Sequence, residues 1–271
     1  MFNKGLEMLT NMEELIKAII MGIIEGLTEF LPVSSTGHLI LAASLLDFTG
    51  EKAKTFEVVI QFGAVLAVFV LYYKRFIKLL QFRLNSGLNI IHVMLAMLPA
   101  GIIGVALHSV VKTYLFSPTT VLVGLVLGGI LMIYADRKQT KVTAEELDDI
   151  TYRQAFMIGC YQLLALWPGF SRSGSTISGG MLAGTSQKAA AEFTFLISVP
   201  IMGAASMLDL LSNRADLTSS DLPLFLIGLC SAFIVAMLAV VTFVNTMKKL
   251  KLSYFAYYRF AIAIIFMFII L

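Results

Sequence analysis

Charged residues are scarce in this chain, since they make up 14% of its 271 residues while hydrophobic residues make up 58%. A soluble domain carries about 25% charged residues, so this composition cannot solvate a globular surface. No run of lysine or arginine occurs, and nucleic acid is therefore not an expected partner. The sequence predicts an all-α polytopic membrane protein, with the bilayer itself as its surroundings.

Cysteine is also scarce. Cys160 and Cys230 stand alone in apolar runs, without the paired spacing of a disulfide framework or a zinc site. We expect both to be small buried hydrophobic residues, so cysteine chemistry is not predicted for this protein.

Long apolar runs predict about six full membrane spans, at 55–73, 89–110, 118–135, 188–211, 221–246 and 254–271. Two other helices, at 13–31 and 152–167, run into a polar break and then a short apolar helix. The short helix at 37–47 would be about 16 Å long, against a hydrocarbon core of about 30 Å. Each unit of this kind predicts a re-entrant hairpin, whose irregular backbone must be shielded by protein or line a wet cavity.

The two halves of the chain resemble each other. An offset of 137 pairs identical residues at several of the positions from 18 to 37, among them Ala18 with Ala155, Gly22 with Gly159, Ser34 with Ser171, and Gly37 with Gly174. We therefore predict one membrane domain built of two repeats, at about 13–135 and 152–271. Each repeat would hold one hairpin and three spans, an odd number of crossings, which makes the repeats inverted with their breaks meeting near the midplane.

Basic residues predict the orientation. With this topology twelve lysines and arginines fall on one side of the membrane and six on the other. The side with more of them is expected in the cytoplasm, so the N-terminus and the first hairpin should open to the outer side.

The first break carries two carboxylates. Ionisable groups are energetically unfavourable at membrane depth, so by default they mark a functional site. Glu25 and Glu29 are four residues apart and share one helical face. A hard divalent cation such as Mg²⁺ or Ca²⁺ would relieve their repulsion and could bridge to phosphate. The alternative is that one carboxyl is protonated and the other pairs with a structural basic residue.

Hydroxyls and a histidine follow these carboxylates. Ser34, Ser35 and Thr36 come just before a short helix, whose free N–H groups favour an anion site. Ordinary N-capping is the alternative, although it would need only one hydroxyl. His38 lies on the first turn within reach of Ser35, which allows a Ser–His nucleophile and base pair, or direct attack on phosphorus by His38.

The second break is centred on Arg172, whose guanidinium suits bidentate contact with phosphate. Ser171, Ser173 and Thr176 surround it and are predicted to bind phosphate too. The alternative role for Arg172 is as the counter-ion of the acidic residues in the first break. Trp167 is expected to pack this hairpin.

Carboxylates, hydroxyls, a histidine and an arginine together predict phosphoryl transfer, with a metal ion or arginine neutralising charge. A site inside the bilayer predicts a substrate with a lipid tail. Glu57 and Gln61 share one face at the start of a span, and they could support the site as outer partners.

Two stretches carry a family resemblance. The sequence EGLTEFLPVSSTGH, from Glu25 to His38, resembles the first signature of the bacterial undecaprenyl-diphosphatases, the bacitracin-resistance (BacA-type) family. The sequence PGFSRSGST, from Pro168 to Thr176, resembles the second. Segments 55–61 and 152–159 are also similar to the family.

The resemblance implies hydrolysis of undecaprenyl diphosphate, a C55 isoprenoid diphosphate lipid, to the monophosphate at the outer side of the bacterial cell membrane. This reaction recycles the lipid carrier of cell-wall synthesis and removes the target of bacitracin. By motif, Glu25 and Glu29 would bind the cation, His38 and Arg172 would bind the phosphates, and Ser35 is the proposed nucleophile. The predicted catalytic residues are Ser35, His38, Glu29 and Arg172.

Two questions stay open at the level of the sequence. Inverted repeats with broken helices are common in transporters, so a lipid-phosphate transporter or flippase is the alternative function. Whether the protein forms a homodimer is also left open.

Overall fold

The structure, a computed structural model, describes residues 2–81, 87–138, 141–212, 221–247 and 249–271. Residues 2–11, 108, 112 and 212 are described by their backbone alone. The described ranges contain helices and no β-strand, with one isolated bridge between Ala144 and Thr185. The predicted all-α fold is confirmed. Three residues that entered the charge count lie outside the described residues: Arg83, Arg214 and Lys248.

Twelve α-helices lie within these ranges. They are α1 Phe2–Thr28, α2 Ser35–Leu46, α3 Glu51–Leu71, α4 Tyr73–Leu80, α5 Ile90–Ala106, α6 His108–Tyr114, α7 Pro118–Arg137, α8 Tyr152–Gln162, α9 Arg172–Leu182, α10 Gln187–Ser212, α11 Leu222–Thr246 and α12 Leu252–Ile270. Two short 3₁₀ segments, Leu147–Asp149 and Leu163–Leu166, precede and follow α8.

Five helices of the described chain, α3, α7, α10, α11 and α12, are long and apolar enough to cross a membrane. They match five of the six predicted spans, and the chain is a multi-pass membrane protein. The sixth predicted span, 89–110, is divided, because α5 has 17 residues and Leu107 separates it from α6 with φ −104° and ψ 10°. Leucine is a good helix former, so the sequence carried no signal for this interruption.

Both predicted helix breaks occur, and they have the same local geometry. We call α1, the break after it and α2 the first hairpin, and α8, the break after it and α9 the second hairpin. Ser34 and Ser171 cap α2 and α9 with φ values of 71° and 76°, which are unusual for residues other than glycine. Each cap accepts a hydrogen bond from the N–H three residues later, at 3.5 Å from Gly37 and 3.1 Å from Gly174.

Close packing of glycines holds the entry helices of the hairpins. In the first hairpin α1 packs on α11, and in the second α8 packs on α5. Gly22 and Gly159, which the sequence repeat aligns, each face a neighbouring carbonyl, and an added Cβ would lie 2.5 Å from Gly228 O or from Ala96 O. The packing therefore depends on the absence of side chains at these positions.

Gly26→Ala should destabilise the protein by forcing α1 away from α11. An added Cβ at Gly26 would lie 2.7 Å from Ala232 O and 2.9 Å from Ala236 N. We expect a loss of about 1–3 kcal/mol, as for other overpacked sites, seen as a lower melting temperature in detergent. Gly101→Ala is the control, because nothing lies within 4 Å of its added Cβ. An equal loss for both variants would contradict this explanation.

The prediction of two buried cysteines is wrong for Cys230. Cys160 is half-buried, whereas Cys230 is exposed on α11. A membrane helix has apolar residues both where it packs and where it meets lipid, so an apolar run does not predict which side is buried.

Candidate active site

The structure brings the two breaks together. Arg172 Nη2 lies 3.0 Å from Glu29 Oε1, and the side chains of the pair are 12% and 6% exposed. Beside this ion pair, the Ser173 hydroxyl donates to the Leu31 carbonyl at 2.9 Å. One hairpin therefore supplies the acid and the other the base of a buried pair, as the counter-ion interpretation of Arg172 expected.

A cavity of about 200 Å³ lies between the breaks. Its polar lining includes six residues predicted as site residues: Glu29, Ser34, Ser35, Thr36, Ser171 and Arg172. The N-termini of α2 and α9 both reach this cavity through those residues. Since helix N-termini favour anions, the cavity suits a phosphate group.

Glu29 joins the predicted nucleophile to the predicted phosphate-binding arginine. The Ser35 hydroxyl donates to Glu29 Oε2 at 2.5 Å, while Glu29 Oε1 pairs with Arg172. Glu29 is 7% exposed, so its bonds form away from bulk water and are stronger for it. The carboxylate is placed to accept the hydroxyl proton of Ser35.

His38 has other partners than the sequence predicted. Its Nδ1 lies 2.8 Å from the Ser34 carbonyl oxygen and its Nε2 lies 2.9 Å from the Tyr258 hydroxyl. Among the described residues these two take both ring nitrogens, and the expected bond from Ser35 to His38 does not form. The ring sits on the first turn of α2, where it folds back onto the cap carbonyl instead of reaching sideways to the cavity.

Glu25 lies in the interior with 1% of its surface exposed. Neither of its carboxylate oxygens accepts a hydrogen bond from any described residue. A buried carboxylate without a donor is costly, so its environment calls for a proton or a cation. Within the described part of the chain, no group of three or more His, Cys, Asp or Glu side chains forms a ready metal site.

Two predicted phosphate ligands lie outside the cavity lining. Ser173 bonds Leu31, and Thr176 donates to the Arg172 carbonyl at 2.8 Å while it accepts from Thr194 at 2.8 Å. Hydroxyls inside a helix commonly turn back to a carbonyl of the preceding turn, which occupies the Thr176 hydroxyl. Here the structure differs from the prediction, and both residues hold α9 in place.

Of the predicted outer partners, Gln61 lines the cavity. Glu57 does not, and it lines another cavity near the end of α2. Trp167 packs the second hairpin as expected, because its Nε1–H donates to the Thr120 carbonyl of α7 at 2.8 Å. It also lines the cavity between the breaks.

Arg259 is a residue that sequence reasoning did not include in the site. It is fully buried in α12 and donates to four carbonyl oxygens at 2.8–3.1 Å, those of Gly124, Leu125, Gly169 and Phe170. Two of these carbonyls belong to the second break and two to α7. Its signal in the sequence was an arginine inside an apolar span, which marks function or a buried partner.

Known proteins are similar to this chain along nearly its whole length. The family model described as "Bacitracin resistance protein BacA" matches residues 18–265. Curated proteins named "Undecaprenyl-diphosphatase 1" from Bacillus anthracis and from Bacillus cereus are both 54% identical to this chain over 259 residues. Each alignment covers 94% of this chain and 98% of the relative.

Proposed function

Since this chain belongs to the bacitracin resistance protein BacA family, we propose that it hydrolyses undecaprenyl diphosphate to undecaprenyl phosphate and inorganic phosphate. The observation that carries the proposal is the cavity in which Glu29 accepts a hydrogen bond from Ser35 and pairs with Arg172. By relation to the family, the reaction recycles the lipid carrier of cell-wall synthesis and confers bacitracin resistance.

Ser35 is the nucleophile in this proposal, and Glu29 is its base. The Ser35 oxygen attacks the terminal phosphorus as its proton passes to Glu29. The bond between that phosphorus and the bridging oxygen breaks, and undecaprenyl phosphate leaves with the electron pair. Glu29 passes this proton to the departing undecaprenyl phosphate and is ionised again. Water then attacks the phosphoserine as its proton passes to Glu29, the bond between phosphorus and the Ser35 oxygen breaks, and Glu29 returns the proton to Ser35 as inorganic phosphate leaves.

Arg172 and the helix N-termini hold the diphosphate. The guanidinium is paired on one side with Glu29, while its buried Nε has no partner among the described residues. Phosphate oxygens can engage these donors in the planar geometry that suits arginine. Ser34, Thr36 and Ser171 complete the lining at the start of α2 and α9, where the helix dipoles favour the negative charge of the substrate.

We propose His38 as a residue that supports this site rather than the attacking group. Both of its nitrogens bond groups other than Ser35, and the ring is not part of the cavity lining. The geometry therefore favours attack by Ser35 over attack by His38.

A divalent cation, Mg²⁺ or Ca²⁺, is proposed at Glu25 and Glu29. The two carboxylates are hard oxygen donors, and the unpartnered oxygens of Glu25 fit the need for a positive charge. The two side chains alone do not fill such a coordination shell, so phosphate oxygens and water would supply the remainder. When bound, the cation would neutralise charge on the diphosphate.

Removal of divalent cations should stop the reaction. We expect a chelator to abolish phosphate release and added Mg²⁺ or Ca²⁺ to restore it. Glu25→Gln should raise the cation concentration for half-maximal rate by about tenfold or more, because one charged ligand is lost. Glu13→Gln, at an exposed residue of the same helix, is the control. Full activity of Glu25→Gln in chelator would refute the cation site.

The function itself is tested with purified protein in detergent and C55 isoprenoid diphosphate, by measuring released phosphate. We expect turnover with one phosphate released per lipid. If no phosphate is released while the same protein moves the lipid across reconstituted vesicles, the alternative function of transporter or flippase would replace this proposal.

We also propose that the fold is an inverted repeat with six spans whose site opens to the outer side of the cell membrane. The matching caps at Ser34 and Ser171 support the repeat, with boundaries near 13–135 and 152–271. The packing supports it too, since α1 with α11 corresponds to α8 with α5, while α3 meets α10 and α7 meets α12. The outward orientation rests on the distribution of basic residues.

A further inference from the structure

Two hydrogen bonds in series, from Tyr258 to His38 and from His38 to the Ser34 carbonyl, connect α12 to the first break. A carbonyl oxygen can only accept, so His38 Nδ1, 2.8 Å from the Ser34 oxygen, must carry a hydrogen. In the neutral ring Nε2 then holds the lone pair, and the Tyr258 hydroxyl at 2.9 Å donates to it. The two rings are nearly parallel, with an interplanar angle of 9° and centroids 5.6 Å apart.

The second of these hydrogen bonds is accepted by the peptide group between Ser34 and Ser35, the proposed nucleophile. The Ser34 carbonyl and the Ser35 N–H belong to one planar trans peptide and point in opposite directions. Holding the carbonyl therefore also fixes the direction of the Ser35 N–H. Ser34 has a φ of 71°, a conformation that persists in a residue other than glycine only when its surroundings hold it.

The position of Tyr258 on α12 is fixed by the contacts of the next residue in the sequence, Arg259. Tyr258 lies six residues after the start of α12, about 9 Å along the helix. The next residue, Arg259, binds the carbonyls of Gly169 and Phe170 in the second break. Adjacent residues of one helix thus contact both breaks.

We propose that Tyr258 is a positioning residue for the first break. By donating to His38 Nε2, it stabilises the tautomer whose Nδ1–H holds the Ser34 carbonyl, and this aims Ser35 into the cavity. The inference rests on the proposed function of Ser35, and no contact of Tyr258 with the substrate is needed.

The tautomer is measured directly by ¹⁵N NMR of histidine-labelled protein in detergent. The chain has three histidines, and His38→Gln assigns the His38 signals. We expect the wild-type signals of a ring protonated at Nδ1, and a shift toward the other tautomer in Tyr258→Phe. A wild-type His38 with its proton on Nε2 would overturn the proposal, even if Tyr258→Phe does not fold.

Kinetics supply the second measurement. Tyr258→Phe keeps the ring and removes only the hydroxyl, so we expect kcat to fall about tenfold with KM unchanged, the effect of one lost hydrogen bond to a positioned group. Tyr257→Phe is the matched control, because that exposed side chain lines a different cavity and should leave kcat and the His38 signals unchanged. Wild-type kcat in Tyr258→Phe would also overturn the proposal.

Failure of the proposed function can be distinguished from failure of the proposal for Tyr258. In that case the wild-type protein would release no phosphate, while the NMR measurement would still show whether Tyr258 sets the His38 tautomer.

Discussion

Ser35→Ala is expected to lower kcat for phosphate release by about 10³-fold or more, as removal of a nucleophile does in other hydrolases. The alanine cannot form the bond to phosphorus, while Glu29 keeps its ion pair with Arg172 at 3.0 Å. The cavity should therefore still bind substrate, and KM should change little. The measurement is phosphate release from C55 isoprenoid diphosphate at saturating lipid.

Two controls separate loss of the nucleophile from loss of structure. Ser44→Ala changes the same residue type at an exposed position of the same short helix and should keep wild-type turnover. Mass spectrometry after a rapid quench in denaturant at neutral pH, which preserves both phosphoserine and phosphohistidine, should find the phosphoryl group on Ser35 itself. Full turnover by Ser35→Ala, or a phosphoryl group on His38, would eliminate the serine route.

Arg259→Met is expected to cause the largest loss of stability, about 3–5 kcal/mol, because it leaves buried polar groups without partners. The Gly169 and Phe170 carbonyls of the second break lose the Arg259 donor, while the Gly124 and Leu125 carbonyls keep only their bonds within α7. Released from α12, the segment before Ser171 and Arg172 should shift, so activity should fall with stability. Thermal unfolding in detergent measures the first effect and phosphate release the second.

Two further variants test this explanation of the loss. Arg153→Met removes an exposed arginine and should leave the melting temperature unchanged. Arg259→Lys keeps the charge but cannot reach four carbonyls at once, since an ammonium has three donors, so it should fall between wild type and Arg259→Met. A melting temperature of Arg259→Met equal to wild type would show that these bonds do not hold the break.

Much of the site could be predicted because membrane depth penalises polar residues. Glu29, Ser35 and Arg172 stood out as polar groups in apolar sequence, and proline and glycine near them marked the helix breaks. N-capping was the alternative role for the hydroxyls of the first break, and the structure gives it to Ser34. The matching cap at Ser171 was not predicted and came from the structure. All of these inferences concern residues close together in the chain, where local geometry follows from local sequence.

Contacts across the chain were harder to predict. The sequence placed His38 near Ser35, but its ring bonds a tyrosine that is 220 residues away. Glu29 was predicted as a metal ligand and catalytic residue, and only the structure showed that it accepts the hydrogen bond of Ser35. A side chain bonds the most favourable of the partners within its reach, and those partners depend on which helices pack around it.

By itself, then, the sequence determined that this is an all-α membrane protein with two broken helices, and which polar residues lie in those breaks. The penalty for polar groups in lipid acts on each residue in turn, so composition and spacing were enough. Only the tertiary structure decided that Arg172 pairs with Glu29, that α12 holds both breaks, and that Cys230 faces outward. Those outcomes depend on how the helices pack, and lipid and protein interior are equally apolar, so hydrophobicity alone could not distinguish them.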